Sequence, residues 1–195
     1  MKFVLASQNK HKATEIKNIL GEGFEIITMD EILPEKLDID ENGSTFSENA
    51  LIKARAVASR CNLPVISDDS GLCVDALSGA PGVHTARYAG ENASDEENID
   101  KLLSALSEVP KEQRSAHFAC CAAVVFENGE EKTFMGRCDG YILNERRGEN
   151  GFGYDPIFFV PEFGVSMAEL PAKTKNEISH RSRAFESMKK ELSAL

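Results

Sequence analysis

Ser115-Ala116-His117-Phe118-Ala119-Cys120-Cys121-Ala122-Ala123-Val124-Val125-Phe126-Glu127 runs into Asn128-Gly129, and a second strand-like stretch follows from Lys132 to Leu143. Two long β-prone runs around Asn-Gly predict a hairpin, because those two residues accept the positive φ of a tight turn. The upstream chain is organised differently. Lys2 to Ala6 reads as a short buried strand. Ala13, Ile16 and Leu20 recur at helical spacing until Gly21 and Gly23 end that helix. Phe24 to Thr28 reads as a second strand, and residues 30 to 43 as a long acidic loop carrying Asp30, Glu31, Glu35, Asp38, Asp40 and Glu41. Thr45 and Glu48 make a capping box for a helix reaching about Cys61, with Phe46, Ala50, Ala54, Val57 and Cys61 as its buried stripe. Pro64 to Ser67 and Cys73 to Ala76 read as short strands. Ser94 and Glu97 form a second capping box ahead of Ile99, Leu102, Leu103 and Leu106. After the hairpin come a short apolar strand, Phe158 to Val160, and a closing helix, Ile178 to Leu192. Early alternation of strand and helix followed by a long hairpin predicts an α/β fold with a mixed sheet and a second lobe, rather than a fully parallel doubly wound sheet.

Composition narrows the function. The 195 residues include 22 Lys plus Arg against 32 Asp plus Glu, a formal charge of −10. That balance disfavours non-specific binding to nucleic acid or anionic membrane, which needs a basic face. An apolar content of 42% with 28% charged residues fits an ordinary globular domain. The longest apolar run, Phe118 to Phe126, falls far short of the about 20 residues of a membrane span. Phe3 to Ala6 is too short for a secretory core, so a cytoplasmic location is expected. Cys61, Cys73, Cys120, Cys121 and Cys138 show no CxxC and no metal-binding spacing. Four of them lie in apolar stretches and are expected to be buried free thiols. Strand alternation would turn either Cys120 or Cys121 outward.

Five stretches carry chemistry. Ser7-Gln8-Asn9-Lys10-His11-Lys12 lies where the first strand meets the first helix. Asn9 can cap the helix, and backbone N–H groups there can face an anion. Lys10 and Lys12 occupy a first turn where the helix dipole favours acids, so they are either surface lysines or partners of a bound anion. Ser67-Asp68-Asp69-Ser70-Gly71-Leu72 places two carboxylates at the predicted end of a strand, which is either an Asp-rich turn or a hard-cation site of the kind Mg²⁺ prefers. At about 100° per residue, Lys53 falls within about 20° of Phe46, on an otherwise apolar stripe. It either snorkels or faces an anion. Gly148 to Pro156 offers three glycines with Phe152 and Tyr154, aromatics that either stack on a base or fold into the core. Lys173 to Arg181 holds Lys175, His180 and Arg181, donors suited to phosphate or a base carbonyl, or simply a charged surface.

Taken in order, Ser7-Gln8-Asn9-x-x-Lys12, Thr45-Phe46-x-Glu48-Asn49-Ala50, Ser67-Asp68-Asp69-Ser70-Gly71-Leu72, Gly79-Ala80-Pro81-Gly82, Ala86-Arg87-Tyr88, Gly151-Phe152-Gly153-Tyr154-Asp155-Pro156 and Ser179-His180-Arg181 closely resemble the Ham1/RdgB family of non-canonical purine nucleoside triphosphate pyrophosphatases. The resemblance spans essentially the whole chain. It implies a single pyrophosphatase domain, residues 1–195, with an elongated two-lobed α/β fold, a mixed central sheet, flanking helices and a nucleotide cleft between the lobes. It also implies Mg²⁺ dependence, a homodimer, and hydrolysis of ITP, dITP and XTP to monophosphate and pyrophosphate. Residue by residue, it implies that Asp69 is catalytic and that Asp40 and Asp69 ligate metal. Asp40 stands where a glutamate is usual, with Glu41 beside it as the alternative ligand. It implies substrate contacts from Ser7, Gln8, Asn9, Lys10, His11, Lys12, Lys53, Ser70, Phe152, Gly153, Tyr154, Asp155, Lys175, His180 and Arg181. Ser7-Gln8-Asn9 replaces the usual Thr-Gly-Asn.

Two other classes compete with this reading. One is a pyrophosphatase of similar architecture acting on pyrimidine or modified nucleotides (Maf-like). The other is a non-catalytic nucleotide sensor, which has no need for adjacent carboxylates beside a phosphate loop. A Rossmann dinucleotide binder is disfavoured, because no GxGxxG follows the first strand.

Overall fold

The computed structural model describes residues 1–35 and 37–194. Residue 36, inside the expected acidic loop, and residue 195, the last of the expected domain, lie outside the described residues. In chain order the elements are β1 (Lys2–Leu5), α1 (Lys10–Leu20), β2 (Glu25–Thr28), α2 (Met29–Ile32), α3 (Phe46–Ala58), β3 (Val65–Val74), α4 (Asp95–Ala105), β4 (Ser115–Val125), β5 (Glu131–Ile142), β6 (Phe158–Val160), β7 (Val165–Ser166), α5 (Ala172–Ile178) and α6 (His180–Leu192). The sheet order is β2-β1-β3-β4-β5-β6-β7. β1 pairs in parallel with β2 and β3, and β6 pairs antiparallel with β5 and β7. The mixed α/β class expected from the sequence is therefore observed.

The chain forms two compact units. The first holds Met1–Asp69, Cys120–Gly136 and His180–Leu195; the second holds Ser70–Ala119 and Arg137–Ser179. In the first unit, strand alternation sorts the core into two layers. Phe3, Leu5 and Ile66 pack with Ile16 and Leu20 of α1 and with Phe185, Met188 and Leu192 of α6. Val4, Ala6 and Val65 face the other way, against Ala54 and Val57 of α3. Each large apolar side chain so buried contributes about 1.5–3 kcal/mol. Gly136 of β5 permits a close approach, since a Cβ there would sit 2.5 Å from the Ala184 backbone nitrogen and collide with the His180 carbonyl. In the second unit, Leu72, Val74, Phe118, Cys138, Ile142 and Phe158 pack with Ile99 and Leu102 of α4.

The hairpin forms as expected. Gly129 has φ +82°, and the Asn128 side chain accepts the Glu130 N–H at 2.9 Å. Both anticipated capping boxes are present, Thr45/Glu48 and Ser94/Glu97.

Four expectations need correction. β3 is one ten-residue strand running straight through Ser67–Leu72, not two short strands around a turn. Its carboxylates remain extended because buried cations meet them, as described below. The acidic loop is interrupted at its start by α2, capped by a Thr28/Glu31 box, a local signal present in the sequence. The closing helix is found as α6 but starts two residues late, at His180, because Ser179 is extended (φ −64°, ψ 157°) and separates it from α5, a helix not expected from the sequence. Finally, Cys120 and Cys121 are both fully buried, since helices cover both faces of β4 in the first unit. Cys138 is buried as well, while Cys61 and Cys73 are partly exposed, and all five thiols are free.

Candidate active site

In the first unit the turn after β1 is closed by its own side chains. Asn9 caps α1, its Oδ1 accepting the N–H groups of His11 at 3.0 Å and Lys12 at 3.1 Å, and Ser7 Oγ accepts the Asn9 N–H. In this arrangement the cap takes up two of the N–H groups expected to face an anion, those of His11 and Lys12. Gln8 donates to the Leu37 carbonyl at 3.0 Å, which ties the turn to the segment after α2. Lys10 and His11 are exposed. Lys12 turns inward and places Nζ 3.1 Å from Asp68 Oδ2.

β3 sends its two acidic side chains to opposite faces, as strand alternation requires. Asp68 shares the face of Ile66 with α1 and α6. There Arg181 donates from Nε and Nη2 to Asp68 Oδ2, both at 3.3 Å, and from Nη1 to Glu15 Oε2 at 2.6 Å. Arg181 is 1% exposed, not the surface residue its type suggests. Burial would raise the Asp68 pKa, but Lys12, Arg181 and Lys53 outweigh it and hold the carboxyl well below its usual range. Burial likewise opposes the charge on Arg181, and Asp68 and Glu15 help to keep it protonated. Asp68 is thus a locked anion in a charge-balanced cluster. His180, also buried, opens α6 beside it in sequence.

Asp69 faces α3. Asn49 Nδ2 donates to its Oδ2 at 3.2 Å, and Lys53 Nζ lies 3.6 Å from its Oδ1. Lys53 is also hydrogen-bonded to Glu41. The helical phase that set Lys53 on the α3 stripe is borne out, and the lysine is 8% exposed. Burial favours its neutral form, but Asp69, Glu41 and Asp68 prevail and raise its pKa. For Asp69 burial dominates; Lys53 and Lys12 only partly offset it, Glu41 adds repulsion, and the pKa is raised. The proton affinities of the adjacent carboxylates are therefore driven apart, Asp68 down and Asp69 up.

Glu41, rather than Asp40, shares Lys53 with Asp69, while Asp40 accepts from Asn42 Nδ2 at 3.3 Å. Among the described residues no group of three or more His, Cys, Asp or Glu could hold a metal ion. The donors that do converge are the two carboxylates of Glu41 and Asp69.

In the second unit, Gly151 and Gly153 adopt φ +79° and +60°, which wraps the loop around Asp155. Asp155 Oδ2 accepts the Phe152 N–H at 3.0 Å and Lys175 Nζ at 2.7 Å, and Lys175 lies 4.6 Å from the Phe152 ring centroid. Both members of this ion pair are buried. Gly153 donates to Asp95 Oδ2 at 2.7 Å. Of the two aromatics, Tyr154 is a core residue whose hydroxyl donates to the Thr85 carbonyl, and Phe152 is half-buried. Ser70 is buried on β3.

Sequence reasoning gave no role to Asn49 or Glu15. Asn49 lies one turn before Lys53, so the helical phase that singled out the lysine also pointed to it.

A model described as the Ham1 family matches residues 3–191. The dITP/XTP pyrophosphatase of Geobacter sulfurreducens is 50% identical over 192 residues, 98% of this chain and 96% of that protein. Among solved structures, a HAM1 protein from Coxiella burnetii is 45% identical with a TM-score of 0.91, covering 100% of both chains. The Ham1 protein of Staphylococcus aureus is 44% identical with a TM-score of 0.90, covering 100% of this chain and 99% of that one.

Proposed function

The chain belongs to the Ham1 family, and on that premise we propose that it hydrolyses the non-canonical purine nucleotides ITP, dITP and XTP to monophosphate and pyrophosphate, with Mg²⁺ as cofactor, cleansing the nucleotide pool. It is an enzyme, a nucleoside triphosphate pyrophosphohydrolase, and works as one domain over residues 1–195. The observation that carries the reading is the buried Asp69 carboxylate, held by Asn49 and Lys53 on the face of α3 that also binds Glu41.

Asp69 is the general base. Burial raises its pKa, whereas a bound cation would lower it, so water activation would rest on the metal as well as on this carboxylate. It takes a proton from water as the water oxygen bonds to phosphorus, and the phosphoanhydride oxygen leaves with pyrophosphate. Lys53, buried and charged, meets the developing negative charge. Ser7 to Lys12 hold phosphate through the lysines and the donors of the turn, of which the cap occupies the His11 and Lys12 N–H groups. The donor set fits Mg²⁺, a hard cation bound by one or two carboxylates together with phosphate oxygens and water. Asp69 and Glu41 would hold it, with Asp40 as the alternative. When bound, the ion offsets phosphate charge and makes water more acidic.

Base choice rests on hydrogen bonding. Ser70, Phe152, Gly153, Asp155, Lys175 and His180 are the proposed substrate contacts, while Tyr154, bonded to Thr85 in the core, and Arg181, bonded to Asp68 and Glu15, would act as supports. Donors accept a 6-oxo group and reject the 6-amino donor of adenine. Guanine shares that oxygen, so its rejection would need a pocket that leaves its 2-amino group unpaired or clashing. The protein works in the cytoplasm as a homodimer, without nucleic-acid or membrane partners. Among the described residues no helix is long and apolar enough to cross a membrane.

The test is pyrophosphate release from ITP, dITP, XTP, ATP, GTP and pyrimidine triphosphates, with and without Mg²⁺. Turnover of the inosine and xanthosine substrates should far exceed the rest and require the metal. Equal rates on all purines would refute the specificity. A pyrimidine preference would favour the Maf-like class, and tight ITP binding without product would favour a sensor.

A further inference from the structure

Asn49 sits in the first turn of α3, 1% exposed, and both ends of its amide are used. Oδ1 accepts the Gly43 N–H at 2.8 Å, and Nδ2 donates to Asp69 Oδ2 at 3.2 Å. The amide orientation is fixed chemically, since a backbone N–H cannot accept and a carboxylate cannot donate. Gly43 is shaped for this contact: a Cβ there would lie 2.6 Å from Asn49 Oδ1 and 2.8 Å from Glu48 Cβ. Lys53 follows one helical turn later and holds Glu41, two residues before Gly43. One face of α3 therefore grips both carboxylates, Asp69 from β3 and Glu41 from the segment ahead of the helix.

We propose that Asn49 is a positioning residue that fixes the Asp69 carboxylate through Oδ2, leaving Oδ1 toward Lys53, and simultaneously anchors the Gly43 backbone so that Glu41 stays in register with Asp69. The amide acts on both halves of the carboxylate pair, while Lys53 contributes charge. Ligand-orienting hydrogen bonds of this kind change metal affinity or activity by roughly 10–100-fold when removed. The inference rests on the assignment of Asp69 above.

The test uses the full chain with Asn49→Leu, which removes donor and acceptor at similar volume, and Asn49→Ser, which is too short to reach both partners. Two measurements are needed. The first is steady-state pyrophosphate release from ITP. A fall of roughly 10–100-fold in kcat with KM for ITP within about threefold is expected, since the phosphate-holding lysines are untouched. The second is binding of Mn²⁺ alone, followed by loss of the free-ion electron paramagnetic resonance signal, which needs no turnover. Affinity should fall by roughly 10–100-fold in both variants. In an Asp69→Asn background, Asn49→Ser should weaken Mn²⁺ binding by less than it does in the wild-type background, because only the Glu41 half of the pair is then left to be positioned. A folded variant with wild-type kcat and wild-type Mn²⁺ affinity overturns the proposal, as does an equal loss of Mn²⁺ affinity with and without Asp69. Should Asn49→Leu fail to fold, Asn49→Ser decides alone. Should the wild-type protein release no pyrophosphate, the enzymatic reading fails while the Mn²⁺ comparison still tests Asn49.

Discussion

At the scale of single residues, two neighbours of the same type sit in opposite electrostatic surroundings. Ionised Asp69 is costly to the fold. A carboxyl whose folded pKa is raised destabilises the native state above its unfolded pKa, where folding must keep a disfavoured charge. Asp69→Asn should therefore abolish turnover while leaving thermal stability equal to wild type or higher at pH 7. Asp68 has the reverse sign, because its lowered pKa stabilises the fold above the unfolded pKa and that contribution is lost only in acid. Asp68→Ala strands Arg181 and Lys12 beside an empty partner, and breaking such a buried pair costs about 3–5 kcal/mol. Denaturant unfolding with parallel pyrophosphate assays separates the two. An Asp69→Asn protein that unfolds like Asp68→Ala would remove the distinction between working base and locked anion. The pair itself was legible in Ser67-Asp68-Asp69-Ser70. Which member reacts was not, because that depends on cations delivered by α1, α3 and α6 from remote parts of the chain.

At the scale of elements, local rules read well and long-range ones did not. Thr45/Glu48 and Ser94/Glu97 announced their helices because a capping box closes within four residues. The Asn128-Gly129 hairpin is equally local. β3 was misread as a broken strand, since an Asp-rich tract ordinarily turns, and here Lys12, Arg181, Asn49 and Lys53 keep it extended. The short α5 ahead of Ser179 was also missed, because seven polar-rich residues carry too few apolar positions to show a helical period. Its neighbour α6 gives an element-scale prediction. α6 begins against Gly136 of β5, where any Cβ would meet the His180 carbonyl and the Ala184 nitrogen. Backbone cannot yield as a side-chain tip can. Gly136→Ala should cost about 1–3 kcal/mol of stability by overpacking, read from urea unfolding. It should also depress kcat, because the same turn carries His180 and Arg181. An unchanged unfolding midpoint would mean that α6 is not held by this contact.

At the scale of the whole molecule, the net charge of −10 and a tetra-anionic substrate look incompatible until the cations are followed to their partners. Lys12 meets Asp68, Lys53 meets Glu41 and Asp69, Lys175 meets Asp155, and Arg181 meets Asp68 and Glu15. Apart from exposed Lys10, the positive charge proposed to meet phosphate is thus largely interior and already matched by carboxylate, a balance that the proposed divalent cation would tip. It also follows that little of it forms the exposed basic surface that nucleic acid requires. Non-specific duplex binding draws its strength from counterion release by exposed Lys and Arg, and grows by several orders of magnitude as salt falls from about 200 to 50 mM. A fluorescently labelled DNA duplex titrated with this protein, without divalent cation, should show no saturable anisotropy change at physiological salt and no appreciable gain at about 50 mM. Binding that strengthens steeply on dilution of the salt would reveal a basic surface and contradict the assignment of free nucleotides as the only polyphosphate this acidic molecule engages.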